Sequence, residues 1–216
     1  MLTETDRGGI RASVYQWSQR KNIPEEVVND FIELALSKAT RALRIPPLEF
    51  FQSLPINEFG YVVLPFNFQE AKEVYIVVNG KNVLLERKAI NEVDFWSTVN
   101  TGSFTGGPPC YFGRFGPNLR IAPFDGIAGQ FLNLYYYNII PPMTTDDTTN
   151  WFTLYAPEVL LYGALVELSN YSRDNEGVAM WTEKFNEAVN IIQGVEDRAE
   201  WRGSTIAVSL NGSTPR

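Results

Sequence analysis

Asn150-Trp151-Phe152, followed by Ala156-Pro157-Glu158-Val159-Leu160-Leu161-Tyr162-Gly163-Ala164-Leu165, opens the last third of the chain. From Pro157 onward the apolar residues recur at helical spacing. Leu160, Leu161, Ala164, Leu165 and Leu168 make one stripe, and Val178, Trp181, Phe185, Ala188, Val189, Ile192 and Val195 make a second. Ser172 to Asn175 interrupt the two, and the helical pattern then continues to Gly203. A single apolar stripe on each segment means that each must be buried against another helix.

The partners lie at the other end of the chain. Ile10, Val14 and Trp17 fall on one face of residues 10–21, with Arg11, Arg20 and Lys21 opposite. Asn22 and Pro24 ahead of Glu25-Glu26 predict a second helix start, because a capping side chain, an early proline and acids all suit the positive end of the helix dipole. That helix runs to about Arg44 through Val27, Val28, Phe31, Ile32, Ala35, Ala39, Ala42 and Leu43, and Pro46-Pro47 stops it.

Between these helical ends, Leu54 to Ile140 changes period. Val74-Tyr75-Ile76-Val77-Val78, Asn79-Gly80 and Lys81 to Leu85 predict a hairpin, since Asn-Gly supplies the two positive φ angles of a type I′ turn. Tyr61 to Leu64, Gly113 to Ala122 and Phe131 to Ile140 supply further strands, and Gly102, Gly106, Gly107, Pro108 and Pro109 mark a long loop. The expected fold class is α+β. A helical bundle is made from residues 1–54 and 151–203, discontinuous in sequence, with an antiparallel β-rich insertion over 55–150 and a C-terminal tail over 204–216.

Composition narrows the function. The net charge is −7 with no histidine and one cysteine. An intramolecular disulfide, a Cys/His zinc site and a Ser-His-Asp triad are therefore ruled out, and no cofactor or metal is expected. An acidic chain without a Lys/Arg stripe grips phosphate backbones poorly, yet it suits a wall past which DNA slides. Met1 to Asp6 lack a leader pattern, and no run approaches the ~18 apolar residues of a membrane span, so a soluble protein without membrane anchor, made in a cytoplasm, is expected.

Candidate chemistry is sparse. Glu25-Glu26, Asp146-Asp147 and Asp174/Glu176 are the acidic pairs comparable with a glycosidase, but their positions read as helix starts and loops. The Gly102 to Gly107 run lacks the ending of a phosphate-binding loop. In a strand, Tyr135 and Tyr137 share one face and Tyr136 takes the other. The β-prone run Thr205-Ile206-Ala207-Val208-Ser209-Leu210 either adds a strand to a partner's sheet or is a plain chain end. Partner-binding candidates are Trp201, Arg202, Ile206, Val208 and Leu210 around this tail, with Tyr111 and Phe112 in the β region.

Several motifs occur in a recognisable order. Trp17-Ser18-Gln19-Arg20 leads to Asp30-Phe31-Ile32-Glu33-Leu34-Ala35 and Arg41-Ala42-Leu43-Arg44, then to Leu64-Pro65-Phe66-Asn67-Phe68-Gln69-Glu70-Ala71. Gly107-Pro108-Pro109-Cys110-Tyr111-Phe112, Leu119-Arg120-Ile121-Ala122-Pro123 and Leu134-Tyr135-Tyr136-Tyr137 to Pro141-Pro142 follow. Asn150-Trp151, Tyr162-Gly163-Ala164-Leu165 and Asp197-Arg198-Ala199-Glu200-Trp201-Arg202-Gly203 close the series. Over roughly residues 14–203 this resembles the head-to-tail adaptor proteins of tailed phages, the tail tubular protein A type of short-tailed phages. Asn67 stands where that family more often has Asp.

The resemblance implies a virion structural protein at the head-tail junction, with no catalytic residue. It implies a homo-oligomeric ring of twelve copies between the portal protein and the tail nozzle protein, with DNA passing through without sequence-specific binding. The helical part is expected toward the portal and the β part toward the tail. The alternatives are another neck or tail ring subunit, or a carbohydrate-binding or hydrolysing tail component that uses Tyr111 and Tyr137.

Overall fold

The structure is a computed structural model and describes residues 6–20, 22–99, 109–124 and 127–201. Helix α1 (Arg7–Ser18) begins where the Asp6 carboxylate accepts the Gly9 amide at 2.9 Å, and it ends at Gln19 with φ 54°. Helix α2 (Glu25–Ala42) starts directly after Pro24. The expected Asn22 cap is not formed. Asn22 stands two residues too far out, and the carbonyl of Pro24 accepts the Val27 and Val28 amides instead.

The C-terminal helices begin earlier than their stripe indicated. Asn150 and Thr153 form a reciprocal capping box at 3.0 and 2.9 Å, which starts a short helix, α4 (Trp151–Tyr155), ahead of α5 (Pro157–Tyr171). A tight turn with Arg173 at φ 58° leads to α6 (Asn175–Trp201), where Asp174 accepts the Gly177 amide at 3.0 Å. Helix α5 is the central rod, packed against α2, α6, α1 and α4. Its Leu160, Leu161, Ala164 and Leu165 meet Ile32, Leu36 and Ala39 of α2 in one buried cluster.

Among the described residues, eight strands form two sheets around a second cluster. The strands β1 (Glu49–Pro55), β8 (Phe131–Asn138), β3 (Phe68–Val78) and β4 (Lys81–Leu84) form one antiparallel sheet in that order. The other sheet runs β2 (Tyr61–Val63), β7 (Asn118–Ala122), β6 (Tyr111–Phe115) and β5 (Glu86–Arg87), with β5 and β6 parallel. Val74, Ile76, Leu132, Leu134 and Tyr136 from the first sheet face Val62, Phe112, Leu119 and Ile121 from the second, as the two layers of a sandwich.

Three local readings need correction. The segment Gly113 to Ala122, expected to supply strand without a turn being marked in it, belongs to the β6–β7 hairpin turning at Gly116 and Pro117. Strand β1 starts at Glu49, ahead of the expected change of pattern at Leu54. An additional helix, α3 (Ile90–Val99), lies on the outer side of the second sheet. Gly113 permits that approach, because a Cβ there would stand 3.0 Å from Val93 Cγ2 and 3.2 Å from the Lys88 carbonyl oxygen. The expected α+β class, helices with antiparallel strands, is what the structure has.

Candidate assembly surfaces

Several charged groups of the helical part fasten segments together. Asp146, on the connection from β8 to α4, receives Arg11 through two hydrogen bonds of 2.8 and 2.6 Å and Arg7 through one of 2.8 Å. Those two guanidiniums, Arg11 first, hold its carboxyl at about 2. Glu25 also faces Arg11, at 3.6 Å. On the same connection the Met143 amide donates to Glu33 at 2.9 Å, and burial pushes the Glu33 carboxyl up. The acidic groups compared with a glycosidase pair thus serve as a clamp at Asp146, an ion pair at Glu25 and a helix-start cap at Asp174.

Arg44 sits where the helical and β cores meet. Its Nε donates to Glu70 of β3 at 2.7 Å, its guanidinium lies 5.5 Å from the ring centroid of Tyr137 on β8, and its backbone exchanges hydrogen bonds of 2.9 and 3.0 Å with Gln193 of α6. A cation over an aromatic face is attracted by the ring quadrupole. One residue at the end of α2 therefore touches both sheet and bundle.

The outward surfaces are unusually aromatic. On β8 the burial alternates as the tyrosine run predicts, with Tyr136 buried and Tyr135 exposed. Tyr135 joins Phe51 at 4.8 Å and Tyr75 at 6.3 Å between ring centroids, on the outer face of the β1-β8-β3-β4 sheet. In the helical part, Trp17, Tyr162 and Trp181 form a ring cluster at 5.9–6.1 Å separations. Ile191 and Val195 are exposed on α6.

The partner-binding candidates are dispersed. Phe112 is only 5% exposed and points into the sandwich, because β6 turns that side toward Ile121 and Leu119, so its ring offers nothing to a partner. Tyr111 is half-buried on the opposite side, against Trp96 at 5.9 Å and Lys88 at 5.6 Å. Tyr111 and Tyr137 stand on different sheets and do not make one stacking platform for a glycan. Trp201 is the last residue of α6; its side chain, and Arg202, Ile206, Val208 and Leu210, lie outside the described residues. The aromatic sheet face through Phe51, Tyr75 and Tyr135 was missed as a unit. The alternation on β8 was legible, but not which strands flank it.

A cleft between Phe68, Glu70, Arg87, Phe112 and Arg114 holds 160 Å³. Among the described residues no group of acidic and cysteine side chains is placed to hold a metal ion, and no helix is long and apolar enough to cross a membrane.

Exposed aromatic faces on a two-core scaffold, with no metal cluster among the described residues, describe a chain whose features are its surfaces, the class of a structural protein. Residues 5–209 match the family model described as SU10 adaptor protein, and the chain belongs to that family of phage adaptor proteins. It is a structural component of a phage virion. No curated protein matches it.

Proposed function

We propose that this chain is one subunit of a closed ring that joins the portal to the tail nozzle at the head-tail junction and forms part of the channel for DNA. The family match over residues 5–209 carries this reading. The geometry supports it in two ways. A ring needs extensive subunit contacts, of the order of 2,000 Å² or more when permanent, and the exposed aromatic faces are suited to supply them. The net charge of −7 suits a conduit that does not retain phosphates. The helical part faces the portal and the β part the tail, and twelve copies close the ring. The role is structural rather than catalytic.

The ring assembles on the portal, with the tail segment 204–216 contributing β-prone residues Ile206, Val208 and Leu210 to that contact. The test is native mass of the chain alone and after mixing with the portal ring of its own phage. A monomer alone and about twelve copies gained on the portal are expected, as closed cyclic symmetry allows. A chain that ignores the portal overturns the adaptor ring. Removal of 204–216 is expected to weaken docking, and undiminished docking overturns the role given to the tail.

A further inference from the structure

We propose that the cleft between the two sheets, where Arg87 and Arg114 converge, is a carboxylate-binding site that receives an aspartate or glutamate side chain from an acidic peptide segment of a partner protein. The proposal goes beyond the ring reading and does not depend on it.

The cleft follows from an irregularity in β3. Phe68 pairs with Asn138 and Glu70 with Tyr137, so Gln69 is an extra residue in the ladder. Neighbouring side chains of a regular strand alternate in direction, whereas Phe68, Gln69 and Glu70 all line this one cleft. From the second sheet, Arg87 stands in register with Phe112, and Arg114, two residues further along β6, stands in register with Leu119. Period two therefore puts both arginines on the side that Phe112 turns toward the core. Phe68, Phe112 and Leu119 are buried and make an apolar floor.

The positive charge at this floor is not balanced within the chain. Among the described residues neither Arg87 nor Arg114 has a carboxylate partner, and both are exposed at the mouth. Arg114 donates Nε to the Gly116 carbonyl at 3.2 Å, and its guanidinium lies 5.2 Å from the Phe68 ring centroid, which leaves its two terminal nitrogens to a ligand. Glu70, the carboxylate of the lining, is engaged by Arg44 at 2.7 Å from the bundle side. Glu86 holds Lys88 at 2.6 Å, and no ion pair joins Glu92 of α3 to either arginine. Two guanidiniums over an apolar floor present forked donors that match a carboxylate, where water screens the attraction less than in the open.

Two features select a polypeptide over a free anion. Gln69 donates Nε2 to the Arg41 carbonyl at 3.2 Å, which fixes the orientation of its amide and leaves Oε1 buried with no donor among the described residues. A peptide carries N–H groups beside its acid, so it meets both needs. The arginines also border a shallow groove of 470 Å³ along Lys88, Ala89 and Ile90, which has room for extended backbone and which a free anion leaves unused. Residues 100–108 and 202–216 of this chain contain no Asp or Glu, so neither segment can supply the acid.

The experiment titrates the full chain, carrying isotope-labelled arginine, with N-acetyl-glutamate amide and follows the Arg87 and Arg114 Nε–H signals by NMR. Saturable shifts of both signals are expected. N-acetyl-glutamine amide, which lacks the charge, is expected to bind about tenfold more weakly or worse, and inorganic phosphate also more weakly than the glutamate probe. An equal response to the glutamate and glutamine probes, or none to either, overturns the site. Tighter binding of phosphate overturns its assignment to a peptide. If concentrating the chain without any probe moves the same two signals, the occupant is a second copy and the assignment to a partner protein is overturned. Arg87→Gln and Arg114→Gln are each expected to reduce the affinity for the glutamate probe by about tenfold while leaving the remaining backbone amide signals in place. Affinity retained in both variants overturns the role given to the arginines. The probe comparisons on the parent chain stand without the variants, and seating on the portal is a separate measurement, so failure here leaves the adaptor reading standing.

Discussion

At Gly163 the sequence and the packing part company. Within Tyr162-Gly163-Ala164-Leu165 a glycine in mid-helix reads as a cost of about 1 kcal/mol against alanine. The structure gives its reason: a Cβ at this position would lie 2.6 Å from the Ala35 Cβ and 3.2 Å from Phe185 Cε2. The first of these atoms is fixed to the backbone of α2, so it moves only if the helix moves. Overpacking a tight contact costs about 1–3 kcal/mol, which exceeds the propensity gain. Gly163→Ala is therefore expected to lower the stability by about 1–2 kcal/mol on that accounting. Adding Ala35→Gly should recover part of the loss, measured by urea unfolding as a double-mutant cycle. A stabilised Gly163→Ala chain would show that α2 and α5 are less closely held than this contact indicates. Asn79-Gly80 is the opposite case. Its φ angles of 51° and 76° are those that the dipeptide announces, because the turn is decided by neighbouring residues alone.

Elements were legible in proportion to how much of their burial comes from their own periodicity. Helices α2, α5 and α6 carry long stripes, and the stop at Ser172 to Asn175 was visible in the letters. Helix α3 was not, because among its residues with described side chains only Val93 is fully buried and the rest lie at the sheet margin or in solvent. Its position depends on Gly113 in a strand more than ten residues later. The connection from β8 to α4 has no pattern at all, yet it is held firmly by the Asp146 clamp on α1, by the Gly8 amide donating to the Asp146 carbonyl at 2.9 Å, and by Glu33. Nothing local announces Arg7 and Arg11 as the partners of a residue so far along the chain.

This connection has a defined response to pH. The Asp146 carboxyl is held at about 2, below its ordinary 3.8, by Arg11 and Arg7. A carboxyl lowered in the folded state adds stability that is fully present above its unfolded value and disappears as pH falls through the folded one. Glu33 works in the opposite direction, since burial raises its carboxyl and protonation then favours the folded form. The difference between the parent chain and Asp146→Asn isolates the first effect. Asp146→Asn is expected to melt at a lower temperature at pH 7, with the gap narrowing from about pH 4 and closing near pH 2, the window between the two carboxyl values. A gap independent of pH across this range would mean that geometry rather than charge holds the connection.

On the scale of the whole molecule, two hydrophobic clusters are linked by the chain between Leu43 and Glu49, by the connection after Asn138 and by the side chains around Arg44. One cluster lies among the helices and the other among the strands, on either side of the changes of period along the chain. Which faces stay bare was not legible there, because a residue such as Phe51 or Phe66 is exposed only by virtue of strands and turns assembled from distant segments. The joint itself was equally hidden, since Arg44 reads as a helix-end cation until Glu70, Tyr137 and Gln193 are brought to it. Removing its side chain keeps the backbone bonds to Gln193 but deletes the link to Glu70 and the cation over Tyr137. Both groups of that ion pair are about a third or more exposed, so the direct loss of stability should be small, at about 1 kcal/mol or less. The larger effect falls on coupling, because two cores joined by few contacts unfold together only while the joint holds. Arg44→Ala is expected to broaden the thermal transition or split it in two by calorimetry, with the ratio of van't Hoff to calorimetric enthalpy falling below that of the parent chain. A transition as sharp as the parent's would mean that the buried surface between the cores, rather than Arg44, makes them act as one.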